Sequence, residues 1–183
     1  MSLIIDITCP TGCLNDVPRI SFDECNPVVD FSEVDKLYLC AVGRPLTDWT
    51  DAAEWGTRID PWGVLGTDIR ELWVSGELPE PERTSTEIDN ERDVWSPMKF
   101  TMPLVIFENN LTNYDFIRQL QCGGEYLAWY SAGENMYGST EGIEVNIKAS
   151  AIITKGAKEA NTLMLEVTWD AKHNPQRITN PLI

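Results

Sequence analysis

The stretch Gly142–Lys172, GIEVNIKASAIITKGAKEANTLMLEVTWDAK, decides the fold class. Ile143, Val145, Ile147, Ala149, Ala151 and Ile153 are apolar at every second position, with Glu144, Asn146, Lys148, Ser150 and Thr154 between them and Ile152 the one break. The pattern returns in Leu163, Leu165, Val167 and Trp169, which alternate with Thr162, Glu166, Thr168 and Asp170. A period of two sends alternate side chains to opposite faces of a strand. The polar, Gly-containing segment Lys155–Glu159 between the two runs predicts a β-hairpin with a longer loop. The first strand, at about 12 residues, would span roughly 40 Å, long against the usual five or six residues. A half-buried antiparallel sheet follows from this pattern; no chemistry does.

At 183 residues one domain, 1–183, is expected, long enough to bury a substantial core. A hydrophobic content of 43% with seven Trp is that of a globular chain. The net charge of −15 argues against a surface that displaces counterions from nucleic acid and against docking on anionic membranes. It fits a basic partner, a surface that repels polyanions, or solubility alone. Met1–Asp6 has no basic start and too short an apolar run for a signal core, and no stretch of about 20 apolar residues exists. Synthesis in a cytoplasm is expected, with export only inside an assembled particle. Cys9, Cys13, Cys25, Cys40 and Cys122 lack zinc-site spacing, and the single histidine, His173, is remote in sequence. Neither a metal nor another cofactor is expected, and the thiols are read as reduced.

Residues 2–8 suit a sheet edge. From 9 to 31 the chain is loop-like, punctuated by Pro10, Gly12, Pro18 and Pro27, and serves either as an arm on a neighbouring subunit or as an irregular loop on its own domain. Lys36–Val42 predicts a strand. Pro45–Gly56 predicts a short helix capped by Asp48 with Asp51 as its partner, stopped at Gly56, and buried through Trp49, Ala52 and Trp55. Ile69–Leu78 predicts a strand, interrupted by Pro79 and Pro81. The segment 77–97 is an expected long acidic loop or arm. Seven acids lie between Glu77 and Asp93, against Arg83 and Arg92. Met98–Phe107 alternates as a strand, and Pro103 places it at an edge or a bulge. The clearest helix is capped by Thr112, buries Phe116, Ile117 and Leu120, and ends at Gly123-Gly124. Tyr126–Tyr130 returns as a strand, followed by a turn over Ala132–Asn135. Residues 173–183, with Pro175 and Pro181, read as an extended tail, either free or docked on a neighbour.

No catalytic constellation stands out. His173 falls in the expected tail, no glycine loop with a Lys cradles a phosphate, and the carboxylates of Glu77–Asp93 sit in polar sequence with nothing to desolvate one of them. No enzymatic activity is expected.

Three segments together suggest a family: Phe22–Pro27 (FDECNP), Lys36–Leu39 (KLYL) and Leu46–Trp55 (LTDWTDAAEW), with Gly123–Tyr126, Trp129-Tyr130 and Tyr137-Gly138 in the second half. In texture they resemble virion proteins of the crAss-like tailed bacteriophages that infect gut Bacteroides. The order of elements is similar to tail-tube and tail-completion proteins, a β-sandwich with one packed helix and long loops. The proline-rich arms depart from the simplest tube subunit. The resemblance implies a structural subunit of a tail or neck ring, located in the virion, self-associating six-fold or twelve-fold around an acidic DNA channel, with tail, neck or portal proteins as partners and with neither sequence-specific nucleic acid nor a membrane as a ligand. On that reading Glu80, Glu82, Glu87, Asp89, Glu91 and Asp93 are candidates for the channel or for a ring-to-ring contact, and the segments 9–31 and 173–183 contact neighbouring subunits. The alternative is a carbohydrate-binding or adhesion β-sandwich that stacks sugars on Trp49, Trp55, Trp62 or Trp95; a glycoside hydrolase is a third class.

Overall fold

The computed structural model describes residues 33–59, 68–83, 85–88, 92–95, 97–152 and 162–183, with 85–88, 92–95 and 152 described through their backbone. The elements run β1 (Val34–Ala41), α1 (Ala52–Arg58), β2 (Ile69–Gly76), β3 (Glu80–Glu82), β4 (Ser85–Ile88), β5 (Arg92–Trp95), β6 (Met98–Ile106), α2 (Leu111–Leu120), β7 (Glu125–Ala132), β8 (Asn135–Gly138), β9 (Ile143–Ile152), β10 (Thr162–Ala171) and β11 (Gln176–Thr179). The protein is mainly β, antiparallel throughout its named strands, with one packed helix and a second short one.

The alternating runs of Gly142–Lys172 are β9 paired with β10 in continuous register from Thr162↔Ile152 to Thr168↔Asn146. The loop expected at Lys155–Glu159 lies outside the described residues. β10 pairs with β6 over nine positions, Leu163↔Ile106 to Ala171↔Met98. The order β1-β2-β6-β10-β9-β7 then closes, because β1 also pairs with β7 from Val34↔Ala132 to Ala41↔Tyr126. The two halves of the sheet thus face each other across one apolar interior, and a sheet closed on itself has no edges along the ring.

Two cores result. The interior holds Leu37 and Leu39 of β1, Phe100, Met102 and Leu104 of β6, Ala128 and Tyr130 of β7, Val145 of β9, and Leu163, Leu165, Val167 and Trp169 of β10. α2 adds Ile117 and Leu120, and just beyond its end the Gln121 side-chain amide donates to the Ala149 carbonyl at 3.0 Å. The opposite faces of β1 and β7 build a second core from Tyr38, Cys40, Leu127 and Trp129, covered by Leu46, Trp49, Trp55 and Met136. Trp55 touches Tyr38 and Trp129, with ring centroids 5.3 and 5.4 Å away. Its indole N–H donates to the Trp49 carbonyl at 2.8 Å, so the ring is buried without an unmet donor.

Several local expectations are corrected. α1 begins at Ala52: Asp51 is its cap, accepting from the Ala53 N–H. Asp48 instead closes the preceding turn, accepting from the N–H and hydroxyl of Thr50. Asp51, expected as the partner of Asp48, is itself the cap, three residues later than the expected start. Gly56 lies inside the helix, and Ala52 is exposed. α2 is capped by Asn110, which accepts from the Asn113 N–H at 2.8 Å, and not by Thr112. The tail is extended as expected, but from Gln176 it docks on its own chain. β11 pairs with β8, the Asn180 N–H donates to the Glu134 carbonyl at 2.8 Å, and Ile178 and Leu182 pack on the second core. The apolar spacing of Ile178 and Leu182 matches an edge left open by β8. The segment 9–31 lies outside the described residues.

Pro103 sits where β6 changes partner. β2 is in register only at Ser75↔Val105 and Gly76↔Leu104, and β3 takes over from Glu80↔Thr101 to Glu82↔Lys99. A residue without an N–H is tolerated at such a break. The short β2–β6 seam depends on Gly76: a Cβ there would lie 2.4 Å from the Pro103 carbonyl oxygen and 2.7 Å from Leu104 Cδ2. Gly76→Ala is therefore expected to destabilise the fold by about 1–3 kcal/mol. Gly56→Ala, in a helix with nothing within 4 Å of the added carbon, is expected to stabilise it by about 0.5–1 kcal/mol. Urea denaturation checks both, and the opposite signs separate backbone crowding from helix propensity.

Candidate functional site

The acidic positions fall into two groups. Glu80 and Glu82 lie exposed on β3, alongside the start of β6. Glu87 and Asp93 lie in a separate two-stranded sheet, β4–β5, whose register sets them directly opposite each other. Asp89 and Glu91 lie outside the described residues. Like charges at opposed positions weaken a strand pair, and a lone two-stranded hairpin is marginal in water. Among the described residues β4 and β5 pair only with each other.

The outer wall of the closed sheet carries large exposed apolar side chains. Trp73 is 69% exposed and Phe107 67% exposed. Trp73 lies two residues before Ser75, which pairs with Val105, and Phe107 follows the end of β6, while Val105 stands opposite Met164. Lys36 pairs with Glu71 at 2.7 Å and places its ammonium 4.4 Å from the centre of the Trp73 ring. Next in sequence, α2 exposes Leu111 and Tyr114, three residues apart and hence on one helix face. Periodicity placed Trp73 and Phe107 on strands; it did not tell which side of each strand meets solvent, so neither was singled out. Exposed apolar side chains of this size are the material of a contact surface.

The aromatic candidates fare differently. Trp49 and Trp55 are buried in the second core, which removes both as a stacking platform. Trp62 lies outside the described residues, and Trp95 is placed by the β5 backbone alone.

The densest polar constellation is a clamp around Arg58. Its Nε and Nη2 fork onto Asp68 at 3.0 and 2.7 Å. Nη1 reaches the Pro45 carbonyl at 2.6 Å and Glu54 at 3.4 Å, and Nη2 also reaches the Arg44 carbonyl at 2.7 Å. The planar guanidinium thereby ties the end of α1 to the start of β2 and to the loop after β1. Hydrogen bonds from Arg58 hold the Asp68 carboxyl below the usual carboxylate range, against its partial burial. Burial also acts against ionisation of Glu54, yet the N–H groups of Thr47 and Asp48, both at 2.8 Å, bring it below its ordinary value. Next to the clamp is a hollow of about 100 Å³ lined by Leu39, Cys40, Asp68, Phe116, Leu120 and Tyr126. Burial pushes the Cys40 thiol up, keeping it protonated and a poor nucleophile. With its guanidinium and carboxylates already engaged, the constellation works as a fastening. Among the described residues no group of three His, Cys, Asp or Glu side chains is placed to hold a metal ion, and no helix is long and apolar enough to cross a membrane.

In class, then, the chain is a closed antiparallel β-fold with a detached acidic hairpin and an apolar outer wall. No known protein family matches it, and no curated protein matches it in sequence.

The clamp has a pH signature. Because the folded value of Asp68 lies below the unfolded one of about 3.9, its stabilisation is complete above that value and is lost as pH falls through the folded value. Asp68→Asn is expected to destabilise by about 2–3 kcal/mol near pH 7, leaving Arg58 half-buried without its partner. The gap to wild type should narrow at a pH below that unfolded value, as the wild-type carboxyl takes up its proton. Chemical denaturation at both pH values checks it.

Proposed function

We propose that this chain is a structural subunit of a tailed-phage tail or neck ring, assembling around an acidic channel without catalysing a reaction. The observation that carries the reading is the β4–β5 hairpin. A two-stranded sheet with no further strand beside it among the described residues, and with Glu87 opposite Asp93, gains little from its own chain. Contact with another subunit would supply the missing stabilisation. The exposed Trp73–Phe107 wall supports the same reading, since a net charge of −15 per copy opposes association and an apolar centre must overcome it. The resemblance to crAss-like phage virion proteins and the order of elements support it independently.

In this reading Glu80, Glu82, Glu87, Asp89, Glu91 and Asp93 face the channel or the next ring. They keep DNA from adhering by like-charge repulsion, felt over about 8 Å at physiological salt. A second reading, sugar binding, now rests on Trp73, the large aromatic ring most exposed among the described residues.

Native mass measured over a range of concentrations, with negative-stain imaging of the large species, tests the proposal. Rings of uniform symmetry are expected, favoured by added salt because screening relieves the repulsion between copies. Replacing residues 85–95 with a short turn should leave the thermal unfolding of the barrel in place and abolish the rings. A strict monomer at every concentration, also when mixed with the other particle components, would overturn the assignment. Quenching of Trp73 by glycans would then favour sugar binding.

A further inference from the structure

The outward face of β2, β1 and β7 carries two adjacent rows fixed by register, Glu71–Tyr38–Trp129 and Trp73–Lys36–Ser131. The second core takes Tyr38 and Trp129 from the first row and nothing from the second. Its cover thus stops one row short, where Trp73 stands exposed beside charged neighbours.

Those charges are unbalanced. Asp35, at the bulge between Val34 and Lys36, accepts from the fully buried Ser131 hydroxyl at 2.7 Å. Glu71 accepts from Lys36 at 2.7 Å. Two carboxylates therefore share the place with one ammonium, and each has acceptor capacity to spare. The Tyr38 side chain beside them is fully buried, and its hydroxyl makes no hydrogen bond of good geometry. Burial first, then the Glu71 charge, push Tyr38 up, with Ser131 opposing and Asp35 adding to the rise. The hydroxyl thus keeps its proton and is directed at the carboxylates, a buried donor left unmatched at the floor of the cluster.

The Trp73 ring already takes a cation. The Lys36 ammonium lies 4.4 Å from its centre while bonded to Glu71, so ring and carboxylate together hold one cation of this chain and fix the indole in place. The cluster still has one negative charge too many and an open aromatic surface. A guanidinium answers both: it stacks on an indole, forks onto a carboxylate, and is more weakly hydrated than an ammonium. A neutral sugar would gain the stacking and not the charge. The net charge of −15 attracts a basic partner and repels a second copy.

We propose that Trp73, Glu71 and Asp35 form a receptor for an arginine side chain of a basic partner protein. The inference goes beyond the ring reading, which needs copies to meet each other; the occupant here is a different chain.

NMR of the full-length protein, labelled at its indole nitrogens, tests this. Loss of one resonance in Trp73→Phe assigns the Trp73 indole N–H. The probes are a capped tri-arginine peptide, a capped tri-lysine peptide, spermidine and maltotriose, each added at about 0.15 M salt. The arginine peptide is expected to shift the Trp73 indole with saturation at a dissociation constant on the order of a millimolar, and at least roughly three-fold more tightly than tri-lysine or spermidine. Glu71→Gln combined with Asp35→Asn should weaken its binding roughly ten-fold. Glu141→Gln, which removes an exposed carboxylate in the turn before β9, should leave it unchanged. Unmoved resonances of the other indoles show that the variants stay folded. A Trp73 indole that does not respond to arginine, or an equal response to lysine or spermidine, would overturn the proposal. So would equal weakening by Glu141→Gln, which marks general attraction to an acidic surface. Saturation by maltotriose in place of arginine would overturn it in favour of sugar binding. A Trp73 indole that shifts with protein concentration before any peptide is added would assign the site to a second copy, overturning the proposal while leaving the ring reading standing.

Discussion

The pairing of β1 with β7 is the constraint from which the remaining architecture follows. It joins segments about ninety residues apart in sequence and turns an open sheet into a closed one. Its consequence for the two strands is burial on both faces. Leu37, Leu39, Ala128 and Tyr130 look into the interior, while Tyr38, Cys40, Leu127 and Trp129 look outward and are equally buried. An outward row of that kind must be covered, and the cover is recruited from four places: the loop before α1 through Leu46 and Trp49, α1 through Trp55, β8 through Met136, and the C-terminal residues through Ile178 and Leu182. Trp129 shows how tightly this is done. Its indole N–H donates to the Ser139 carbonyl at 2.6 Å, and the turn that supplies the carbonyl ends at Gly142 with φ of 77°. A Cβ at Gly142 would lie 2.9 Å from the Trp129 ring, so this position combines a left-handed backbone with a close approach.

What the sequence made legible follows the same division. Strands with one face inward and one toward water, β6, β9 and β10, show the period of two directly, and their alternation matches the observed burial residue by residue in β6 and β10. β1 and β7 have no such alternation because both faces are covered; they read as short apolar runs, which locate a strand without orienting it. Closure itself left no local mark, since it depends on a pairing across the whole chain. The start of α1 was expected at Asp48, three residues early, because an Asp can cap at either position and nothing local in the sequence shows that Asp48 is held by Thr50 instead. β11 was missed because four residues next to two prolines have no room for a period, and its strand state comes from pairing with β8 and from the second core beneath Ile178.

The candidate site was legible in part for an equally physical reason. Charge density can be counted along a chain, so the acidic arm is visible in sequence, and the structure adds that Glu80 and Glu82 flank β6 while Glu87 opposes Asp93 in a hairpin of its own. Exposure of an apolar residue cannot be counted in this way. Trp73 and Trp55 have the same hydrophobicity, yet one is 69% exposed and the other fully buried, because β2 turns its outer face to solvent near Trp73 whereas α1 inserts Trp55 between Tyr38 and Trp129.

Closure also decides how such a molecule can associate. A protein with open sheet edges can add copies through backbone hydrogen bonds, which are strong, unselective and prone to run on as fibres. Here β1 and β7 pair and close the ring, and the strands that keep one side wholly unpaired among the described residues are the short ones, β3, β4, β5 and β11. Association is thereby shifted to side chains, where a highly acidic surface sets a threshold. Were two copies to associate, they would do so against mutual repulsion, and a matched apolar contact would have to overcome it. Repulsion that rises with every added copy, opposed by a contact of fixed geometry, favours assemblies that close over assemblies that grow without limit.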